Sequence, residues 1–148
     1  MIAMASPEHG PIKNTLETPM PYRVVNAPDG PTPPPQTWSN MKVHDNGHFH
    51  ISGLVGSGTT MYEQAKETFD KARRLVEAAG GVMDDIMTMQ IFVTDLDANT
   101  EIWKARREFF SGDYPCSTLI EVSRVGNPRA DPKMLVEINF SGYIGASR

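Results

Sequence analysis

At 148 residues, with 39% apolar and 22% charged residues, the chain has the make-up of one globular domain, long enough to bury its own core. A formal charge of −4 argues against nucleic acid as a partner, and no apolar run approaches the ~18 residues of a membrane span. The single cysteine, Cys116, allows no internal disulfide, and no cationic start leads into an apolar stretch, so the expected location is the cytoplasm.

Residues 1–20 are polar, carry Pro7, Gly10, Pro11 and Pro19, and lack periodicity. They read as a flexible N-terminal extension ahead of a single domain over 21–148. Tyr22 to Asn26 predicts a first strand, and the proline-rich stretch from Pro28 to Pro35 predicts a loop. Ser39 to Gly53 reads as a hairpin turning at Asp45-Asn46-Gly47, since Asn-Gly tolerates the positive φ angles of a tight turn. On its outgoing strand His48, His50 and Ser52 share one face, and Phe49 and Ile51 the other. Gly53 leaves room for a close approach.

Thr60 to Ala79 is the clearest helix. Thr60 and Glu63 have capping-box spacing, and Met61, Ala65, Phe69, Ala72, Leu75, Val76 and Ala79 form one apolar stripe. Gly80-Gly81 supplies its C-terminal stop. Asp85 to Asp95 predicts a central strand with two mostly apolar faces. Asn99 to Phe110 predicts a second helix, capped by Asp97 or Asn99. Ser117 to Val125 and Met134 to Tyr143 predict the last two strands. The simplest packing is an α+β domain with two helices on one face of a sheet. The uncovered face would then favour self-association.

Several residues carry chemical potential. Glu137 lies in mid-strand among Leu135, Val136 and Ile138, where a carboxylate is paired, solvated or functional. Cys116 could be a nucleophile if a base stood near; a lone cysteine opening a strand is more often a small core residue. His44, His48 and His50 could chelate a metal across the hairpin, but a polar strand face is the plainer reading, and no metal or other cofactor is expected. Gly56 and Gly58 lack the residues that complete a phosphate loop. Arg124, Arg129, Lys42 and Arg23 read mainly as surface cations.

In order and spacing, a set of short stretches resembles the YjgF/YER057c/UK114 (RidA) family of enamine/imine deaminases. They are Trp38-Ser39-Asn40, Phe49 to Gly53, Glu63-Gln64-Ala65, Glu77 to Gly80, Ile91 to Asp95, Phe109-Phe110, Glu121-Val122 and Leu135 to Ile138. The resemblance implies a chorismate-mutase-like fold with a mixed sheet, a homotrimer with a barrel-like sheet core, and ligand clefts between subunits. It implies hydrolysis of a reactive enamine or imine to a carbonyl compound and ammonia. It assigns the last-strand carboxylate to Glu137, cleft backbone to Ser52 and Gly53, and an aromatic contact to Trp38. The arginine that grips a substrate carboxylate in the family is missing. The gapless register puts Ser117 in its place, and an inserted residue would put Cys116 there. An asparagine often facing the cleft is replaced by Trp103. The implied site therefore comprises Glu137, Ser117 and Cys116 as catalytic candidates. Trp38, Ser52, Gly53, Trp103, Thr118 and Arg124 are the substrate-binding candidates. An unsaturated or aromatic-derived substrate such as an aminomuconate fits these changes. The alternatives are a non-catalytic ligand-binding trimer, or a repurposed catalyst acting on another carbonyl or ring substrate.

Overall fold

The structure, a computed structural model, describes residues 21–27 and 37–148. The N-terminal extension and the proline-rich loop expected from the sequence lie outside the described residues. Six strands and two helices follow in the order β1 (Tyr22–Val25), β2 (Met41–His44), β3 (His48–Val55), α1 (Met61–Ala78), β4 (Ile86–Val93), α2 (Asn99–Phe109), β5 (Cys116–Glu121) and β6 (Val136–Tyr143). The strands form one sheet in the spatial order β1-β2-β3-β6-β4-β5. All neighbours are antiparallel except β4 and β5, which α2 connects as a crossover. The expected mixed sheet with two helices on one face is therefore what the chain adopts.

The local causes are legible. Thr60 caps α1 by accepting from the Glu63 amide, and the Glu63 carboxylate accepts from the Thr60 amide, completing the capping box. Beyond the C-cap Ala79, Gly80 takes φ +92°. The Gly80 amide then donates to the Glu77 carbonyl and the Gly81 amide to that of Val76, a Schellman ending. The turn between β2 and β3 places Gly47 at φ +90°, while the Asn46 side chain accepts from the His48 amide. The second helix departs from expectation at its start. Neither Asp97 nor Asn99 caps it; Asp95 accepts from the Asp97 amide and caps a 3-10 turn over Leu96–Ala98 that runs into α2.

The core lies between the sheet and the helices. Phe69 of α1 sits at its centre, fully buried, with ring centroids 5.7 Å from Phe109, 6.0 Å from Phe110 and 6.1 Å from Phe140 of β6. Aromatic pairs at such separations favour tilted and edge-on contact. Strand β4 is interior to the sheet, as expected, but only one of its faces is buried within the chain. Ile86, Met89, Ile91 and Val93 point into the core, Thr88 and Gln90 are exposed, and Met87 is thrown out at a bulge between Ile86 and Thr88.

One buried carboxylate ties the C-terminus to this core. Asp85 has no exposed surface. It accepts from the amides of Val82, Gly145 and Ser147 and from the Ser147 hydroxyl. Burial pushes its carboxyl up, but the amides of Gly145, Ser147 and Val82 outweigh that and hold it below the usual carboxylate range. A depressed native value means that stability from Asp85 is full above the unfolded value of ~3.9 and lost as pH falls through the native one. Asp85→Asn is expected to cost about 1–3 kcal/mol in urea unfolding at pH 7. The variant's stability should then fall less steeply than that of the wild type on acidification below about pH 4.

Candidate functional site

The face of the sheet opposite the helices is open in the single chain, and the strand registers arrange it in rows. One row runs His50, Ser141, Thr88, Cys116 across β3, β6, β4 and β5. The next runs from Ser52-Gly53 through Asn139 and Gln90 to Thr118. The third runs Val55, Glu137, Phe92, Ile120. The first two rows bound a shallow groove of about 630 Å³. Its floor is neutral and hydrogen-bonded: the hydroxyls of Thr88 and Ser141 pair at 2.5 Å, and the Asn139 amide donates to Gln90 Oε1 at 3.1 Å. These four residues were not singled out in the sequence, although their alternation with buried neighbours in Thr88-Met89-Gln90 and Asn139-Phe140-Ser141 marks a polar strand face.

Ser52 and Gly53 are special because β3 carries an extra residue there. Ile51 pairs with Phe140 and Leu54 with Ile138, so two residues of β3 oppose Asn139 alone. The bulge keeps both Ile51 and Leu54 in the core and turns Ser52-Gly53 toward the groove. The Ser52 hydroxyl donates to the Ser39 carbonyl at 2.6 Å, fixing the segment that carries the adjacent, exposed Trp38.

What approaches Gly53 closely is the side chain of Glu137. A Cβ at Gly53 would stand 3.0 Å from Glu137 Cδ and 3.1 Å from its Oε2. Glu137 is half-buried, and among the described residues no hydrogen bond or ion pair engages its carboxylate. The entry to its strand is held by a residue the sequence reading passed over as part of a helical match. Gln64 of α1 is buried, donates to the carbonyls of Gly58 and Lys133, and accepts from the Leu135 amide at 2.7 Å. One amide side chain thus ties the helix to the residues just before Glu137.

The remaining candidates divide. Cys116, Ser117 and Thr118 line the groove with Ser52 and Gly53. In register, Cys116 and Thr118 share the open face with Thr88 and Gln90, whereas Ser117 aligns with buried Met89. Arg124 lies beyond the far end of β5. It lines a separate cavity of about 380 Å³ with Lys133, Thr94 and Asn127. Trp103 is exposed on α2, whose core-facing residues are Ile102 and Ala105, and it does not line the groove of its own chain. Among the described residues Cys116 has no histidine beside it. His50 stands in the same row three strand spacings away, about 14 Å, too far for a cysteine–histidine pair between these two residues of one chain.

The three histidines of the hairpin do meet. Ring centroids are 5.7 Å apart for His44 and His48, 5.5 Å for His44 and His50, and 4.3 Å for His48 and His50. Tyr143 stacks on His48 at 4.7 Å. Burial, followed by the neighbouring rings of His48 and His44, holds His50 below the usual histidine value.

The family model described as Endoribonuclease L-PSP matches residues 31–144. A 2-iminobutanoate/2-iminopropanoate deaminase of Dermatophagoides farinae is 24% identical over 127 residues, covering 80% of this chain and 98% of that protein. Among solved structures, a protein of unknown function from Pseudomonas aeruginosa has a TM-score of 0.74 at 29% identity, covering 84% of this chain and 94% of its own. RidA from an Antarctic Psychrobacter has a TM-score of 0.72 at 23% identity, covering 82% and 99%. With the model spanning most of its length and the fold shared with these structures, the chain belongs to the Endoribonuclease L-PSP family, the YjgF/RidA family that its sequence resembles.

Proposed function

We propose that the protein hydrolyses a reactive enamine or imine to a carbonyl compound and ammonia. The observation that carries this reading is Glu137: a half-buried carboxylate, unpaired among the described residues, pressed against the bulge glycine that borders the groove. In the proposed reaction, on the imine tautomer, Glu137 takes a proton from water as the oxygen bonds to the C=N carbon, and passes it to the nitrogen. In the resulting carbinolamine the hydroxyl proton moves by way of Glu137 to the amino group, the C–N bond breaks as C=O forms, and ammonia departs. One water enters and one ammonia leaves, so no cofactor is invoked. The name borne by the Dermatophagoides relative supports the reaction class.

The substrate is proposed from what lines the groove. Ser117 stands where the resembled family carries an arginine, and neither Ser117 nor Cys116 can form a charged, bidentate grip on a carboxylate. The amide and hydroxyl floor, with the edge of β5 at Cys116 to Thr118 and the backbone of Ser52 and Gly53, suits polar but uncharged atoms. Trp38 and Trp103 would contact an unsaturated portion, and Arg124 would supply a cation from outside the groove. This requires neighbouring chains, and the reading includes a homotrimer with its sheets facing inward and the site between subunits. Exposed Tyr22, Val24 and Tyr143 on the open face support such packing. An aminomuconate-like substrate, acted on in the cytoplasm, fits this arrangement. Ser117 in the arginine position also favours a second reading, a trimer that binds such a compound without turning it over.

Two variants separate these readings. Against a panel of freshly generated small acidic, aromatic and dienyl imines, the wild type is expected to release ammonia from at least one. Glu137→Gln should lower kcat by about 10²–10⁴-fold with the assembly intact. Turnover unchanged in that variant would sink the role of Glu137, and an intact wild type that binds a panel member but releases no ammonia from any would favour the binding protein. Gly53→Ala should displace the carboxylate by a few tenths of an ångström and lower kcat, by up to about 10²-fold, more than it raises KM.

A further inference from the structure

We propose that His44, His48 and His50 form a binding site for one divalent first-row transition-metal ion, of the zinc, nickel or copper type. One ring nitrogen from each residue lies within 4.8 Å of those of the other two. Around a tetrahedral ion with bonds of ~2.0 Å, ligand nitrogens stand ~3.3 Å apart, so side-chain rotation alone closes the set. The backbone fixes the three positions. His48 and His50 alternate onto one face of β3, and His44 ends β2 directly across the Asp45-Asn46-Gly47 turn.

A second observation points to a ligand. The Nδ1 atom of His44 is buried with no hydrogen-bond partner among the described residues. A buried ring nitrogen left unsatisfied is costly, and coordination through that atom would satisfy it. Among the described residues no carboxylate joins the group, and its donors are three imidazoles. Imidazole sets favour zinc, copper and nickel over magnesium or calcium, which prefer oxygen ligands. The Tyr143 ring stacked on His48 restrains that imidazole. Lys42, the cross-strand partner of His50, directs its ammonium over the Tyr22 ring at 4.5 Å.

The site stands apart from the proposed deaminase chemistry. His50 and Glu137 are four residues out of register along β6, roughly 13 Å. Three protein ligands leave a fourth position for water or a small anion. His50 also lines the groove, so that position opens toward one of its ends.

The test uses the full, untagged chain, stripped with a chelator and titrated with zinc chloride by calorimetry, and separately with cobalt(II) followed by visible absorption. One ion per chain is expected, with a cobalt spectrum lacking a thiolate charge-transfer band. His44→Gln, His48→Gln and His50→Gln should each weaken binding by about tenfold or more. Cys116→Ser, and His9→Gln at the one histidine of the sequence outside the hairpin, should bind as the wild type does. Absence of saturable zinc binding to the wild type would overturn the proposal, as would binding that follows Cys116 or His9, or a thiolate band in the cobalt spectrum. The wild-type titration and spectrum decide the matter even where a histidine variant folds poorly.

Discussion

The extra residue in β3 is the constraint on which the site depends. A strand shows alternate residues to opposite faces, so without the bulge Leu54 would be carried out of the core and Val55 into it. With Ser52 and Gly53 both opposite Asn139, the strand keeps Ile51 and Leu54 buried and offers two consecutive residues to the groove. The same bulge places the residue without a side chain against Glu137. Any larger residue at 53 would press on the carboxylate, so the geometry of the candidate acid–base group is set from a neighbouring strand.

A second restraint reaches Glu137 along its own strand. The last strand begins after a turn-rich segment, and such a segment would leave its register free. Gln64 removes that freedom by bonding both to the Lys133 carbonyl and to the Leu135 amide from the buried side of α1. The helix is itself fixed through Phe69 at the centre of the core and by a capped start. Packing on the covered face therefore determines geometry on the open one. A loss of packing under α1 would reach Glu137 through Gln64, with no contact to substrate.

Much of this was legible in the sequence. The element order, the capping box, the glycine stop after α1 and the split of β3 into histidine and apolar faces all follow from local chemistry. A close approach at Gly53 was also legible, although the residue that makes it, Glu137, was not. Long-range register is what the sequence withholds. The Gln90–Asn139 pair joins residues 49 positions apart, and Gln64 reaches Leu135 across 71. Asp85, lying in a short acidic turn, gives no sign that it will receive the C-terminal amides. The second apolar face expected of β4 is interrupted by Thr88 and Gln90, and the bulge that turns Met87 outward and Ile86 into the core is announced by no nearby residue.

The open face also separates two kinds of chemistry that the sequence placed side by side. A cysteine, three histidines and a glutamate all fall on strands of one sheet, and a nucleophilic pair was conceivable. The register puts Cys116 and His50 at opposite ends of one row and Glu137 two rows away. No single small substrate lying flat on this chain can use all three at once. Between them lies the neutral Thr88–Ser141 and Gln90–Asn139 floor, already paired with itself. Each pair makes one bond, and Gln90 Nε2 and Asn139 Oδ1 still have a donor and an acceptor to offer. The floor can therefore exchange hydrogen bonds with an uncharged polar substrate but offers no charge to hold a carboxylate. The groups that differ from this floor stand at its borders, where Glu137 meets Gly53 and β5 presents its edge at Cys116 to Thr118.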